Sequence, residues 1–181
     1  MDQVDEKLKN FYELFERRKS VREFQDRVIE PDVLERLLMT LRRAQSAANR
    51  QPWRFIVIEK KDRAELNEAL TKEGFRGAPV IIAACAEPKE AWIRKPDKVN
   101  YAWVDVTIAV TEMICAATAE GLGTCWIASL EPARVKEILR IPDGIEIVAL
   151  IAIGWPKEEL KKEEKARKPL EEIIRYGKWQ G

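Results

Sequence analysis

The most informative absence in this chain of 181 residues is histidine, which does not occur at all. Without histidine the chain cannot form a Ser-His or Cys-His catalytic pair, and it lacks the commonest ligand of zinc and iron. Triad hydrolases and histidine-ligated metalloenzymes are therefore excluded, and we predict no metal site. If the chain is an enzyme, an organic cofactor is the natural source of its chemistry.

Cysteine and net charge are also sparse. The three cysteines, Cys85, Cys115 and Cys125, have no metal-like spacing and stand in apolar or aromatic surroundings. This predicts buried free thiols in a reducing compartment. The formal net charge is only +1, so no global field attracts nucleic acid or a membrane surface. Any anion must be bound by a local cluster of basic residues.

No apolar run predicts a membrane span. The most apolar long segment, 104–119, is short for a span and contains Asp105 and Glu112. The acidic segment 1–6 is not followed by an apolar stretch, as a secretory signal would be. We therefore expect a cytoplasmic protein that binds neither nucleic acid nor membranes.

The residues that are present indicate one globular domain over 1–181. Hydrophobic residues make up 46% and charged residues 35% of the chain, and its length suffices for a proper core. Residues 87–103 are irregular, and we expect a surface loop that serves as a substrate lid or packs its aromatic residues down. Apolar periodicity and turn residues predict strands at 55–58, 80–84 and 145–153, and helical segments at 5–16, 31–41, 62–70, 104–120, 132–139 and 170–176.

Two basic runs are candidates for binding a phosphate. Residues 18–22 place three cations and a hydroxyl group at the end of the first helix, and arginine offers paired donors to phosphate. The alternative is a solvated basic helix end, which the helix dipole favours. Residues 165–170 are by default a solvated charge run, but they complete a phosphate site if the fold brings Lys165 and Arg167 beside Arg18 and Arg22.

The small, polar loop 45–53 is a candidate for binding a planar ligand. Ser46 and its neighbouring alanines let a flat ring approach the backbone, while Asn49 and Gln51 offer amide donors and acceptors. Groups of this kind suit the pyrimidine edge of a flavin. The alternative is an ordinary connection between a helix and a strand, with Pro52 setting its exit.

The glycine pair Gly121 and Gly123 does not indicate a dinucleotide-binding fold. Trp126 stands where a third glycine is needed, and the pair follows a helix instead of a strand. Helix termination and a tight turn into a buried segment explain both glycines.

Taken together, these elements resemble the FMN-dependent nitroreductase family. That family has Arg-x-Ser-x-Arg/Lys near its start, Ser-x-x-Asn-x-Gln-Pro-Trp before a strand, a buried helix ending in Gly-Leu-Gly-x-x-Trp-Ile, a strand ending in Ile-Gly-Trp/Tyr-Pro, and a C-terminal Lys-x-Arg-x-Pro. In this sequence the five motifs occupy 18–22, 46–53, 121–127, 153–156 and 165–169, in the same order.

The resemblance implies an α+β, sandwich-like fold in which helices flank a central mixed sheet. It also implies an intertwined homodimer that holds FMN between its subunits, with the C-terminal part and the serine-asparagine loop reaching one flavin from different subunits. No side chain is expected to be catalytic, because the flavin carries the chemistry. The expected flavin-binding residues are Arg18, Lys19, Ser20, Arg22, Ser46, Ala47, Asn49, Gln51, Ala128, Ser129, Lys165 and Arg167.

The activity implied by the resemblance is that of an NAD(P)H oxidoreductase. Hydride from NADH or NADPH would pass through flavin N5 to a small, flat acceptor such as a nitroaromatic or a quinone, by a ping-pong scheme. Two alternatives stay open. One is a different reaction on the same flavin scaffold, either reductive dehalogenation or flavin fragmentation, and the other is a non-catalytic FMN-binding protein.

Overall fold

The computed structural model describes residues 6–70 and 72–179. Helices and strands are interspersed along this part of the chain. The helices are α1 (Glu6–Arg17), α2 (Pro31–Arg43), α3 (Ala64–Ala69), α4 (Ala102–Ala119), α5 (Pro132–Ile138) and α6 (Leu170–Ile173). The strands are β1 (Trp53–Glu59), β2 (Val80–Ala86), β3 (Gly123–Ile127) and β4 (Glu146–Gly154).

The four strands form one sheet in the order β1-β2-β4-β3. This confirms the expected α+β fold, but the sheet differs from the expected mixed one. Among the described residues all three strand pairings are antiparallel, and parallel pairing is limited to an isolated bridge between Ser20 and Thr124. The chain segment after α1 makes that bridge without extending into a strand, so the sheet gains no parallel member.

The sheet is covered on both faces, which explains why its central strands are apolar throughout. Every residue of β2 is buried, as is every residue of β4 after Glu146. A strand buried on both faces shows a continuous apolar run instead of an alternating pattern. Residues of α2 and α4 form the core on one face, and residues of α3 and α5 pack on the other.

The structure refines two sequence-based expectations about single elements. The buried stretch expected after the turn at Gly121 is present, and the structure adds that Gly123–Ile127 is a strand, β3, paired with β4. Of the cysteines, Cys85 and Cys125 are buried free thiols as expected, whereas Cys115 is only partly buried. Burial raises the pKa of the Cys85 thiol to about 11.

The apolar composition of 104–119 favours a helix enclosed on every side, but α4 lies in the core with one side open. It packs against α2 and the sheet through residues such as Val106, Val110 and Met113, which are fully buried. Trp103 and Val104 remain 48% and 44% exposed. Although α4 is long and apolar enough to cross a membrane, it is accounted for as the core helix. An open apolar side on such a helix indicates that something further covers it.

Two other segments leave apolar side chains uncovered. Helix α1 has no buried residue, and its apolar face carries Leu8, Phe11, Tyr12 and Phe15, each at least 47% exposed. The C-terminal segment exposes Leu170, Ile173, Ile174, Tyr176 and Trp179. Contiguous exposed apolar surface of this kind marks an interaction site.

Candidate functional site

The basic segment 18–22 is held along the edge of the sheet, beside β3. The amide of Val21 donates a hydrogen bond of 2.9 Å to the carbonyl of Thr124, and the Val21 side chain is buried. Gly123 permits this approach, because a Cβ placed there would lie 2.6 Å from Val21 Cγ2. The glycine interpreted as a helix stop therefore also admits the basic segment to the sheet edge.

The C-terminal basic segment crosses the end of α1. The Lys165 ammonium donates hydrogen bonds to the carbonyls of Phe15 and Glu16, in the last turn of α1. Carbonyls at a helix C-terminus have no partner within the helix, so a lysine there satisfies them and interacts favourably with the helix dipole. An ion pair of 2.6 Å between Lys162 and Glu16 fastens the same two segments.

Three cations from opposite ends of the sequence converge at this point: Arg18, Lys165 and Arg167, hereafter the cationic cluster. Burial lowers the pKa of the Lys165 ammonium, and the nearby charges of Arg18 and Arg167 lower it further. Within the described residues neither arginine forms an ion pair with a carboxylate. The cluster thus holds positive charge that an anion would neutralise, which is the electrostatic requirement of a phosphate site.

The other predicted residues of segment 18–22 do not all join this cluster. Lys19 is paired with Glu163. Arg22 donates a hydrogen bond of 3.3 Å to the Ser20 carbonyl, and its positive charge opposes the burial that raises the pKa of Cys125. A cavity of about 310 Å³ is lined by Lys19, Ser20 and Arg22 together with residues 156–158. The expected grouping is therefore present for Arg18, whereas the Arg22 side chain bonds the Ser20 carbonyl and lines this cavity.

The 46–51 loop adopts a backbone conformation that its composition does not predict. Ala48, Asn49 and Gln51 have φ of 50°, 53° and 52°, in the left-handed region that residues other than glycine rarely adopt. The loop is closed by its own hydrogen bonds, since the Gln51 amide donates to Ser46 Oγ at 3.0 Å and the Gln51 side chain donates to Asn49. Clustered positive φ values are typical of functional loops whose shape the surroundings impose.

A residue that the sequence did not single out for function, Asp105, anchors this loop. Its carboxylate is 1% exposed, and Oδ1 accepts a hydrogen bond of 3.0 Å from the Ala47 amide. The available signal was an acidic residue in the most apolar segment of the chain, where Glu112 is the only other acid. A buried charge in such a segment requires an explanation from its surroundings.

The last two predicted site residues, Ala128 and Ser129, follow β3 directly. Both are exposed, and the Leu130 amide donates a hydrogen bond of 3.0 Å to the Ala128 carbonyl. Strand β3 therefore runs along the sheet edge from the bridge at Ser20 to this exposed pair. An extended ligand can lie along that edge.

The cationic cluster and the 46–51 loop lie at opposite corners of the sheet. In the register of the sheet, Thr124 of β3 pairs with Ile153 of β4, and Ile153 pairs with Val80 of β2. Val80 in turn pairs with Glu59, which is at the opposite end of β1 from the loop. A seven-residue strand and three strand spacings separate Thr124, beside the basic segment, from Trp53, beside the loop, by roughly 25 Å. One chain by itself does not bring them to the same ligand.

The residues present fit a flavin mononucleotide better than a metal or a hydrolytic centre. The cationic cluster meets the needs of a phosphate, and the 46–51 loop presents small residues and amides suited to a flat heterocycle. Within residues 6–70 and 72–179 no group of three or more cysteine or carboxylate residues is placed to hold a metal ion.

Comparison with known proteins identifies close relatives over most of the chain. A putative NADH dehydrogenase/NAD(P)H nitroreductase from Archaeoglobus fulgidus is 32% identical over 150 residues, covering 78% of this chain and 83% of the relative. A 5,6-dimethylbenzimidazole synthase from Rhodospirillum rubrum is 30% identical over 196 residues, covering 92% and 87%. An iodotyrosine dehalogenase 1 homolog from Caenorhabditis elegans is 26% identical, covering 91% and 60%.

Solved structures resemble the fold closely. A nitroreductase family protein from Clostridium difficile 630 superposes with a TM-score of 0.84 at 32% identity, covering 92% of this chain and 98% of that one. An FMN-dependent nitroreductase from Clostridium difficile R20291 has a TM-score of 0.75 at 25% identity, covering 92% and 98%.

The profile of the Nitroreductase family matches residues 15–73 and 67–155, which include the basic segment, the 46–51 loop and the whole sheet. The chain therefore belongs to the nitroreductase family and is an enzyme of the oxidoreductase type.

Proposed function

We propose that this protein is an FMN-dependent NAD(P)H oxidoreductase that reduces small, flat electron acceptors such as nitroaromatics or quinones. The observation that carries the proposal is the convergence of Arg18, Lys165 and Arg167, two of them without a carboxylate partner among the described residues. Bound FMN would supply the hydride transfer, with NADH or NADPH as the reductant. The chain, treated as a single domain over 1–181, would supply binding, orientation and electrostatics.

Each part of the chain has a distinct task in this proposal. The cationic cluster would hold the phosphate, and Ser20 with Lys19 would follow the ribityl chain along β3. Arg22 would lie near the ring, where positive charge favours a reduced, anionic flavin. The backbone of Ala128 or Ser129 would donate a hydrogen bond at N5. Ser46, Ala47 and Asn49 would line the ring, with Gln51 supporting their loop.

The same proposal requires a homodimer. The 46–51 loop and the cationic cluster lie at opposite corners of one subunit, so a shared flavin needs the loop of a second copy. The uncovered apolar surfaces of α1, of α4 near Trp103 and of the C-terminal segment supply material for such an interface. We expect this dimer to be cytoplasmic and to bind neither nucleic acid nor membranes.

A different reaction on the same scaffold is the second candidate. Two relatives are named as a 5,6-dimethylbenzimidazole synthase and an iodotyrosine dehalogenase homolog. Side-chain contacts hold the loop 87–101 in an ordered arrangement. Trp92 packs edge-on against Tyr101 with ring centroids 5.0 Å apart, and Arg94 donates a hydrogen bond of 2.9 Å to the Tyr101 hydroxyl. An ordered aromatic loop beside the 46–51 loop is suited to close over a specific substrate.

The absorption spectrum of the purified protein, before and after anaerobic addition of NADH or NADPH, tests the proposal. We expect flavin bands that bleach on addition of the reductant and return with a nitroaromatic or a quinone. A colourless protein that takes up no added FMN would contradict the proposal. Bound flavin that no nicotinamide reduces would instead support a binding protein, and turnover restricted to halogenated phenols would support the second candidate.

A further inference from the structure

Asp105 is a buried carboxylate whose burial the fold alone does not explain. It lies in the first turn of α4 and is 1% exposed. Oδ1 accepts the hydrogen bond from the Ala47 amide, while Oδ2 is buried and has no hydrogen-bond partner among the described residues. Burying a carboxylate with one unsatisfied oxygen costs free energy. An apolar side chain at that place would avoid this cost but could not accept the hydrogen bond from Ala47.

The contact that Asp105 makes is the only hydrogen bond that joins residues 46–51 to a distant part of the described chain. The remaining hydrogen bonds of the loop are internal or connect it to the adjoining Trp53. These internal bonds close a small ring, but they do not fix its position relative to α4. The Ala47 amide belongs to that ring, directly after Ser46, so its hydrogen bond to Asp105 ties the ring to α4.

The position of Asp105 on α4 makes it a suitable anchor. The first turn of an α-helix carries amides without helical partners and the positive end of the helix dipole, which favour a carboxylate. Asn100 satisfies one of these amides, because its Oδ1 accepts a hydrogen bond of 2.9 Å from the Ala102 amide. Asp105 projects from this turn toward the loop, and its Oδ1 accepts the hydrogen bond that joins the loop to the helix.

We propose that Asp105 is the positioning residue of the 46–51 loop, holding its strained backbone in the shape that receives the flavin bound to the other subunit. This inference rests on the proposed function for the identity of the ligand. It does not rest on it for the loop itself, whose shape can be measured without any flavin.

The first experiment follows the loop in the protein without added flavin. Hydrogen exchange of the Ala47 amide is measured in the wild type, in Asp105→Ala, in Asp105→Asn and in Thr118→Val. Thr118 is a matched control, because it is a buried polar residue near the other end of α4 whose hydroxyl bonds the Ile114 carbonyl at 3.0 Å. We expect exchange at Ala47 to accelerate about tenfold or more in Asp105→Ala, in line with the loss of the hydrogen bond that protects this amide.

The Asn substitution separates positioning from general damage. Its amide oxygen can still accept from Ala47, so we expect protection between that of the wild type and that of Asp105→Ala. Thr118→Val is expected to leave exchange at Ala47 unchanged. Equal exchange at Ala47 in Asp105→Ala and in the wild type would overturn the proposal.

The second experiment asks whether the loop position reaches the flavin. At saturating FMN, the visible circular dichroism and the reduction potential of the bound flavin are compared in the same four proteins. We expect both to change in Asp105→Ala and to stay unchanged in Thr118→Val, because only the former displaces groups that line the ring. A purely structural role would lower the unfolding temperature while leaving the flavin signals of the wild type, and that result would refute the flavin-positioning role.

The two proposals fail in different ways. If the wild type binds no FMN, the proposed function is wrong, whereas hydrogen exchange still decides whether Asp105 holds the loop. If the wild type binds FMN but Asp105→Ala has the exchange rate and flavin signals of the wild type, the proposed function stands and the role of Asp105 is wrong.

Discussion

The two corners of the sheet form candidate binding elements by opposite means. At one corner, the cationic cluster is built from charged side chains that are far apart in sequence and that a helix end and ion pairs bring together. At the other, the 46–51 loop consists mainly of small and amide side chains, with Arg50 as its one charged residue, and its strained backbone is fastened by a single buried carboxylate. The first element depends on charge, and the second depends on shape.

The two elements should therefore respond differently to substitution. Charge acts over several ångströms, so removal of one cation weakens the cluster without dismantling it. Shape acts through contact, so a small displacement of the loop removes its effect on a ligand. Three predictions test this comparison.

The largest effect is expected at the surface that would bring the two corners together. Phe11→Glu places a charge on the exposed apolar face of α1, where Phe11 is 53% exposed. Burying that charge at a dimer interface should cost about 3 kcal/mol or more, so dimer dissociation should increase at least ~100-fold. Sedimentation at several concentrations, with flavin content measured alongside, checks this.

Asn10→Glu is the matched control, since it adds the same charge to the same helix at a polar position. It should leave the dimer and the flavin content intact. A Phe11→Glu protein that is monomeric yet retains FMN would show that one subunit suffices for binding. The 46–51 loop of a second subunit would then not be part of the flavin site.

An intermediate effect is expected at the cationic cluster. Arg18→Ala and Arg167→Ala should each weaken FMN binding by about 10- to 100-fold, because each removes a charge-assisted interaction with the phosphate worth about 1.5–3 kcal/mol. Titration of the apoprotein with FMN, followed by flavin fluorescence, measures the change. Lys161→Ala is the control, because Lys161 lies in the same segment but has only a 4.0 Å ion pair with Glu159. Unchanged affinity in both arginine variants would show that the cluster is not the phosphate site.

The smallest effect is expected in the 46–51 loop and concerns stability. Ala48→Gly relieves a left-handed backbone, so the free energy of unfolding should rise by about 0.5–1 kcal/mol. Urea denaturation measures it. Ala44→Gly is the control, since Ala44 is buried with φ of −59° and should lose stability instead. A loss of stability in Ala48→Gly would mean that the strain described for this loop is absent.

Much of the fold follows from the sequence because its signals are local. Pro31 at the first turn of α2 and the apolar spacing that follows it predict that helix, and the continuous apolar run of 145–153 predicts β4. Strand β3 was not predicted, because five residues that follow a glycine turn carry no period of their own and become a strand only by pairing with β4. The antiparallel direction of every pairing is likewise a property of the assembled sheet.

The candidate site divides along the same line. Arg18, Lys165 and Arg167 are recognisable by residue type and by their order in the family pattern, although only the fold shows that Arg22 bonds the Ser20 carbonyl. The positive φ of Ala48 and the hydrogen bond from Ala47 to Asp105 are not encoded in any residue type at those positions. They arise from contact between segments 58 residues apart.

The distance between the two corners has a genetic consequence. In a two-fold dimer, each flavin would take its phosphate partners from one polypeptide and its ring-facing loop from the other. Two defective alleles, one with a substitution at Arg18 and one with a substitution at Asp105, would then complement each other. In a mixed dimer, one flavin site would combine the two unsubstituted halves and be intact, while the other site would carry both substitutions.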